Sequence, residues 1–175
     1  MKVRAPFTID HEPTLFMLAC LQGDVERWQL TEPDDYLRFL TYQWDEGKSF
    51  VNIEHDVEFE PSIVMELWEC ESDWCFAPYE GITEPQLPHL GMAKISSSHI
   101  EKTHDVWKTF TECSEVLRLR WQRQPTWSML DGYLYRFSAG RGLFAHRHST
   151  TVVNRRPPGV VQMSDDSMAG FLHGA

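Results

Sequence analysis

The chain has 175 residues, about the size of one domain, so a single hydrophobic core can stabilise it without disulfide or metal cross-links. Sixteen Lys and Arg residues oppose twenty-six Asp and Glu residues, and the formal charge of −10 disfavours broad binding to nucleic acid phosphates or anionic lipid. Hydrophobic residues make up 42% of the sequence and aromatic residues 13%, which is typical of a folded protein rather than a disordered one.

The sequence contains no candidate membrane span. Its longest apolar run, residues 15–21, is far shorter than the roughly 20 residues that cross a bilayer. Acidic residues precede this run and no small-residue cleavage site follows it, so a signal peptide is not indicated and a cytoplasmic protein is expected. The cysteines lack the paired spacing of a zinc site and are too few for a disulfide scaffold, so all four are expected to be free thiols: Cys20, Cys70, Cys75 and Cys113.

Helical and extended patterns alternate along the chain, which is typical of an α/β fold with a mainly parallel sheet. Apolar residues recur at helical spacing between a helix-start pattern at Thr31 and a stop at Gly47, and strand formers follow directly. The predicted elements, in chain order, are a helix over 31–47, a buried strand over 49–57, a helix from 61 that ends before 73, a strand over 90–95, a helix from about 97, a helix over 127–137 and an extended segment over 143–153.

Two segments interrupt this alternation. Residues 74–90 contain several Pro and Gly residues and predict a long functional loop. Near the end, the sequence becomes rich in Pro, Gly, Ser and Asp. We therefore expect one domain over residues 1–156, followed by a mobile tail over residues 157–175.

The sharpest candidate for a functional site is the triplet Glu54-His55-Asp56, at the end of the predicted buried strand. Because side chains alternate along a strand, Glu54 and Asp56 are expected on one side, about 6 to 7 Å apart. Parallel sheets bind ligands at the carboxyl ends of their strands, and carboxylates there suit Mg²⁺ or Mn²⁺, which in turn hold phosphate oxygens. The alternative is an acidic strand end exposed to water.

A second group of candidates lies near the end of the sequence. His146 and His148 are two residues apart on a predicted strand, so both rings are expected on the same side, where they can complete a metal site or contact a diphosphate. Arg147 lies between them and adds positive charge suited to an anionic ligand. The alternative is an exposed surface strand.

Aromatic side chains supply a third group. Trp74, Tyr79 and Trp127 offer flat faces for a sugar or a nucleotide base, while a Trp at helical spacing also suits a core. Cys70 and Cys75 flank Trp74 without a basic sequence neighbour that would activate a thiolate, so they are expected to pack or to anchor the loop.

A resemblance to a known group of proteins is carried by the run FVNIEHDVEFEPSIVMELWECESDWCFAPYE and the preceding EPDDYLRFLTYQWDEGKS. The segments LGMAKIS, TWSMLDGYL and FAHRHSTTVVNR add a Leu-Gly strand, a Trp-x-x-x-Asp helix and a terminal His-x-His strand. Over residues 30–154 the chain resembles small glycosyltransferase-like proteins, many from phages and actinobacteria, with the nucleotide-diphospho-sugar transferase (GT-A) fold.

The resemblance implies a Rossmann-like α/β sandwich whose acidic triplet coordinates Mn²⁺ or Mg²⁺ on a nucleotide-sugar donor. Glu54 and Asp56 match the acid-x-acid element, although most GT-A proteins have Asp at the first position. The resemblance also favours His148 as the third metal ligand. It places Asp131 near the sugar, where a carboxylate can remove a proton from an acceptor hydroxyl.

Three functional hypotheses follow from these residues. The first is a metal-dependent glycosyltransferase with an unknown acceptor, located in the host cytoplasm if a phage encodes it. The second is a protein derived from such an enzyme that has lost catalysis and binds a nucleotide, a sugar or a protein partner. The third is an unrelated metal-dependent hydrolase in which water replaces the sugar hydroxyl.

Overall fold

The computed structural model describes residues 1–8, 10–32, 34–81, 88–121 and 128–155. The predicted tail over 157–175 lies outside the described residues. The elements, in chain order, are β1 (Lys2–Phe7), α1 (Glu12–Ala19), β2 (Asp24–Gln29), α2 (Asp35–Glu46), β3 (Phe50–Ile53), β4 (Val57–Glu58), α3 (Pro61–Glu69), β5 (Trp74–Phe76), β6 (Met92–Ile95), α4 (Ser97–Lys102), α5 (Val106–Trp121), α6 (Ser128–Ala139), β7 (His146–Arg147) and β8 (Val153–Asn154).

A six-stranded sheet with the order β2-β1-β3-β6-β5-β7 forms the centre of the molecule. β6 is antiparallel to both of its neighbours, and all other neighbouring pairs are parallel. Five strands therefore share one direction, which confirms the predicted α/β fold with a mainly parallel sheet in a single small domain. β4 and β8 form a separate antiparallel pair.

Helices cover both faces of this sheet and divide the core into two clusters. One cluster joins α2, α4, α5 and α6 to the face that contains Phe50 and Trp74. The other joins α1 and α3 to the opposite face, which contains Val51 and Cys75. Neighbouring residues of β3 and β5 thus enter different clusters, as the alternation of side chains along a strand requires. No helix among the described residues is long and apolar enough to cross a membrane.

The first 53 residues form a β-α-β-α-β unit whose first two strands are absent from the sequence-based prediction. β1 lies between β2 and β3 and contains a charged residue, Arg4, that is only 3% exposed. Arg4 forms ion pairs with Glu26 at 3.0 Å and Glu46 at 3.6 Å and donates a hydrogen bond to Gln43. Because these partners lie on β2 and α2, the local sequence of β1 does not reveal that a charged residue is buried there.

The connections around β1 create a crevice at one edge of the sheet. α1 connects β1 to β2 across one face, and α2 then connects β2 to β3 across the other face. Since β2 and β3 lie on opposite sides of β1, the direction of strand addition reverses between β1 and β3. In open α/β sheets, ligands bind outside the carboxyl ends of the strands at such a reversal.

Most predicted elements are confirmed, and three require correction. The predicted strand over 49–57 is divided, because β3 ends at Ile53 and β4 begins only at Val57. The predicted loop over 74–90 contains β5 at its start, where apolar residues are fully buried between β6 and β7. The extended segment over 143–153 contributes only two short strands.

A buried histidine links α4 to α6 on the sheet face that contains Phe50 and Trp74. His99 on α4 is 1% exposed, its Nε2 lies 3.2 Å from the Ser138 hydroxyl of α6, and its ring makes a T-shaped contact with Trp74. Burial disfavours the charged imidazolium and lowers the pKa of His99 to about 4. The imidazole is therefore neutral in the folded state.

This pKa predicts a pH-dependent stability. The unfolded imidazole has a pKa of about 6.5, so the stabilisation is complete above that pH and is lost as the pH falls towards 4, with a slope of about 1.4 kcal/mol per pH unit. His99→Asn removes this contribution and should flatten the dependence of the unfolding free energy on pH between 6.5 and 4. Urea unfolding at several pH values measures the slope, with the exposed His104 changed to Asn as the control.

Candidate functional site

The triplet Glu54-His55-Asp56 forms a tight turn at the carboxyl end of β3. The backbone N–H of Val57 donates to the carbonyl of Glu54 at 3.2 Å, and the N–H of Glu54 donates to the carbonyl of Gly91 at 2.8 Å. The chain therefore reverses direction here instead of continuing as a strand. The expected strand alternation, which would place both carboxylates on one side, does not apply to this turn.

The turn lies beside the end of β1, at the edge where strand addition reverses. The Nε2 atom of His55 lies 3.3 Å from the hydroxyl of Thr8, which directly follows β1. A small cleft between β1 and α1 borders His55 and is lined in part by Phe7, Leu15 and Arg27. Burial is the main cause that lowers the pKa of His55, so its ring favours the neutral form.

Glu54 turns towards the interior of the protein. Its Oε1 accepts a hydrogen bond of 2.7 Å from the hydroxyl of Tyr36 on α2. The side-chain amide of Asn52 donates to the same hydroxyl at 3.2 Å and to the carbonyl of Leu90 at 2.6 Å. Burial, followed by the charge of Glu54, holds the pKa of Tyr36 well above its usual value, so the phenol remains a hydrogen-bond donor.

Asp131, the predicted general base, lies on α6 close to Glu54. Its Oδ1 accepts a hydrogen bond of 3.1 Å from the backbone N–H of Leu90. Burial is the first cause, and the charge of Glu54 the second, that raise the pKa of Asp131 well above its usual value. The structure thus brings the predicted base next to a predicted metal ligand, and their mutual repulsion favours a proton held on this pair.

Tyr79 closes the same group of side chains from the segment that follows β5. Its ring stacks on His89 with 4.1 Å between the ring centroids. Burial and the negative charge of Glu54 raise the pKa of the Tyr79 phenol well above its usual value. One ring face is therefore occupied by His89, and the hydroxyl lies against Gly91 in the acidic interior.

Asp56, the other carboxylate of the triplet, has a different environment. Its Oδ1 is buried and has no hydrogen-bond partner among the described residues. The backbone carbonyl of Asp56 accepts from the N–H of Arg155 at 2.7 Å, and the Arg155 side chain pairs with Glu58 at 3.3 Å. The carboxyl-terminal strand β8 pairs with β4 and holds this arginine beside the turn.

His148 lies away from the acidic turn. Its Nδ1 donates to Glu66 at 2.7 Å, and its ring centroid lies 4.9 Å from that of His146. Among the described residues, Glu54, Asp56 and His148 do not form a group whose ligand atoms lie within 4.8 Å of one another. The structure therefore brings the two histidines together but does not join His148 to the acidic pair. His146 and Arg147 are both exposed.

The remaining aromatic candidates have separate outcomes. Trp74 is completely buried in the core, so its ring is not accessible to a bound sugar. β5 places Trp74 beneath α4, which agrees with the core role that the sequence left open for it. Trp127 lies outside the described residues.

Several residues of the site are absent from the sequence-based prediction. Tyr36, Asn52, Thr8 and Arg27 come from different elements and meet only in the folded chain. Thr8 and Arg27 belong to the unpredicted first β-α-β unit, so no local pattern marks them. Tyr36 lies on a correctly predicted helix, where its helical spacing indicates only that it faces the core.

Comparison with known proteins gives a similarity of fold. No protein-family model matches the sequence, and no curated protein matches it. A glycosyltransferase involved in the glycosylation of the major capsid of PBCV-1 aligns with 90% of this chain and 96% of its own, with a TM-score of 0.53 and 10% sequence identity. This similarity shows that the chain has a glycosyltransferase-like fold.

Two further solved structures align less closely. A197 from STIV has a TM-score of 0.48 and 11% identity over 94% of this chain and 98% of its own. The glycosyltransferase GlyE from Streptococcus pneumoniae TIGR4 has a TM-score of 0.44 and 9% identity over 85% of this chain and 45% of its own.

The close approach of Tyr79 to Gly91 yields a stability prediction. A Cβ atom at Gly91 would lie 1.8 Å from the Tyr79 hydroxyl oxygen and 3.0 Å from Cζ, so Gly91→Ala should destabilise the protein by about 1–3 kcal/mol through overpacking. Tyr79→Phe removes the closest atom and should recover part of that loss. Urea unfolding of both single variants and the double variant measures the coupling; strictly additive losses would contradict the proposed contact.

Proposed function

We propose that the protein is a glycosyltransferase that uses a nucleotide-diphosphate sugar and that the acidic turn at Glu54–Asp56 is its donor site. The main support is the position of this turn within a glycosyltransferase-like fold, at the carboxyl edge where the sheet reverses its order. We propose that the donor binds over this carboxyl edge of the sheet, next to the turn and to Arg27.

The carboxylates of the turn suit a divalent cation. Asp56 Oδ1 is buried without a hydrogen-bond partner among the described residues, and such an oxygen is costly unless a ligand satisfies it. We propose Asp56 as the direct ligand of Mg²⁺ or Mn²⁺. Glu54, whose Oε1 is held by Tyr36, contributes negative charge to the site. When bound, the cation would offset the charge of the donor diphosphate and of the departing nucleoside diphosphate.

Positive side chains beside the turn complement a diphosphate. Arg27 forms a short ion pair with Asp10 and lies 4.1 Å from the centre of the Phe7 ring. Arg155 is 61% exposed and pairs with Glu58. Arg27 lines the cleft beside the turn and the Arg155 backbone binds Asp56, and we propose that their guanidinium groups exchange a carboxylate partner for phosphate oxygens, which arginine binds well.

Asp131 is the proposed general base for the acceptor hydroxyl. Burial and the charge of Glu54 raise the pKa of this carboxyl group above its usual value, which makes its ionised form a stronger base. The N–H of Leu90 fixes one oxygen and leaves the other to contact the acceptor. Tyr36 and Glu54 orient the surrounding groups rather than react.

The donor site can be tested by changing the charge of Asp56 alone. Asp56→Asn preserves size but removes the carboxylate, so Mn²⁺-dependent binding of the preferred donor should weaken about 10- to 100-fold. A thermal-shift screen of UDP-, GDP- and TDP-sugars with and without Mn²⁺ identifies that donor, and titration calorimetry measures its affinity.

Asp45→Asn is the matched control, because it removes the same charge at an exposed position. Asp45 lies near the end of α2, whereas Tyr36, which contacts the turn, lies near its start. Unchanged donor affinity in Asp56→Asn would contradict the proposed site. Binding without transfer to any acceptor would favour the non-catalytic hypothesis, and release of free sugar that requires only metal would favour the hydrolase.

The role of Asp131 separates catalysis from stability. Asp131→Asn should slow release of the nucleoside diphosphate from bound donor about 10²- to 10⁴-fold with little change in donor affinity. The same change replaces a carboxyl group whose ionisation is disfavoured by burial and by Glu54, so the melting temperature should stay constant or rise. Asp105→Asn, at an exposed ion pair with Arg141, is the control. Unchanged turnover in Asp131→Asn would exclude it as the base.

A further inference from the structure

Three potential metal ligands converge on the face of the sheet that packs against α3. Cys70 ends α3, Cys75 lies on β5, and His148 directly follows β7. Their two Sγ atoms and one ring nitrogen lie within 4.8 Å of one another. Both cysteines are free thiols, and Cys75 donates a weak hydrogen bond, of 3.6 Å, to the carbonyl of Leu67.

The histidine of this group has one ring nitrogen available for coordination. A carboxylate can only accept, so the 2.7 Å contact with Glu66 assigns the proton to Nδ1 of His148. Thr150 donates to the other Glu66 oxygen at 2.9 Å and fixes its position. Nε2 is left with an available lone pair, and it is buried with no hydrogen-bond partner among the described residues. Metal-bound histidines in proteins commonly have this carboxylate partner on the second nitrogen.

We propose that Cys70, Cys75 and His148 bind one zinc ion. Two thiolates and an imidazole are soft and borderline ligands that favour zinc over Mg²⁺ or Mn²⁺. Zinc bonds of about 2.0–2.3 Å place tetrahedral ligand atoms roughly 3.5 Å apart, so small side-chain rotations close the present group. Cys70 is only partly buried, which leaves room for water at the fourth position. Zinc binding at this site does not require that the protein be a glycosyltransferase.

The proposed role of the ion is structural. It would connect α3, β5 and β7, and β7 itself pairs with β5 over only two residues. The segment that follows β7 returns across the molecule, pairs through β8 with β4 and holds Arg155 at the acidic turn. Zinc would fasten the start of this returning segment to the rest of the domain.

The test uses the full chain, purified under reducing conditions and treated with a chelator. Zinc titrated against a chromophoric chelator should bind with a stoichiometry of one, and it should raise the melting temperature by mass action. Cobalt should produce visible bands of tetrahedral coordination together with near-ultraviolet thiolate charge-transfer absorption. Absence of either zinc binding or the thiolate absorption would overturn the proposal.

Variants separate the ligands from their surroundings. Cys70→Ser and His148→Gln should abolish stoichiometric binding, and Glu66→Gln should weaken zinc affinity about 10- to 100-fold. Cys113→Ser changes an exposed cysteine outside the group and should bind zinc like the original chain. Since Cys75 is fully buried, Cys70→Ser is the more informative thiol variant. Unaltered cobalt absorption in Cys70→Ser would contradict the proposal even if every variant folds.

Oxidation provides a further decisive outcome. Cys70 and Cys75 are close together, so the alternative to zinc binding is a disulfide between them. If reduced protein binds no zinc, while air-exposed protein loses about two mass units per chain and Cys70→Ser prevents that loss, the cysteines form a redox pair and the zinc site is wrong. Zinc that protects both thiols from alkylation would support the proposal.

Discussion

A carboxylate enclosed at the end of β3 constrains the centre of this molecule. Glu54 lies where the chain turns away from the sheet, and its charge must be accommodated among partly buried neighbours. Tyr36 supplies a hydrogen bond, and Asn52 keeps the tyrosine hydroxyl aligned. The absence of a side chain at Gly91 leaves space for Tyr79 on the other side. The geometry of the crevice therefore depends on how the protein stabilises one charge.

The same charge affects the chemistry of its surroundings. It raises the pKa of Asp131 and of both nearby phenols, after burial as the larger cause. A cation that enters the crevice would lower the pKa of both carboxyl groups, because added positive charge favours their ionised forms. A donor bound with its cation would thus prepare Asp131 to accept a proton. Binding and base activation would depend on a common electrostatic environment.

The sequence predicted this fold well where local pattern and burial agree. The helix that ends at Gly47 and the buried residues of β3 follow from local pattern, but the predicted strand continued through the acidic triplet, where the chain instead turns. β1 escaped prediction because the buried Arg4 is neutralised by residues on other elements. The resemblance places His148 with the acidic pair, whereas in the structure Glu66 holds its ring, a contact that strand spacing does not reveal.

The segment from His146 to Arg155 connects the proposed zinc site to the acidic turn. It begins beside the cysteines, contacts Pro78 and Glu80 through backbone hydrogen bonds of Val152, and ends with the Arg155 N–H on the acidic turn. Its strands contain only two residues each, so little ordered sheet holds it in place. Fixing each residue of such a segment costs about 1–2 kcal/mol of backbone entropy. A metal bond at His148 would fix the start of the segment and so lower the entropy cost of ordering its end. A zinc ion at the cysteines would therefore strengthen the donor site without contacting the donor.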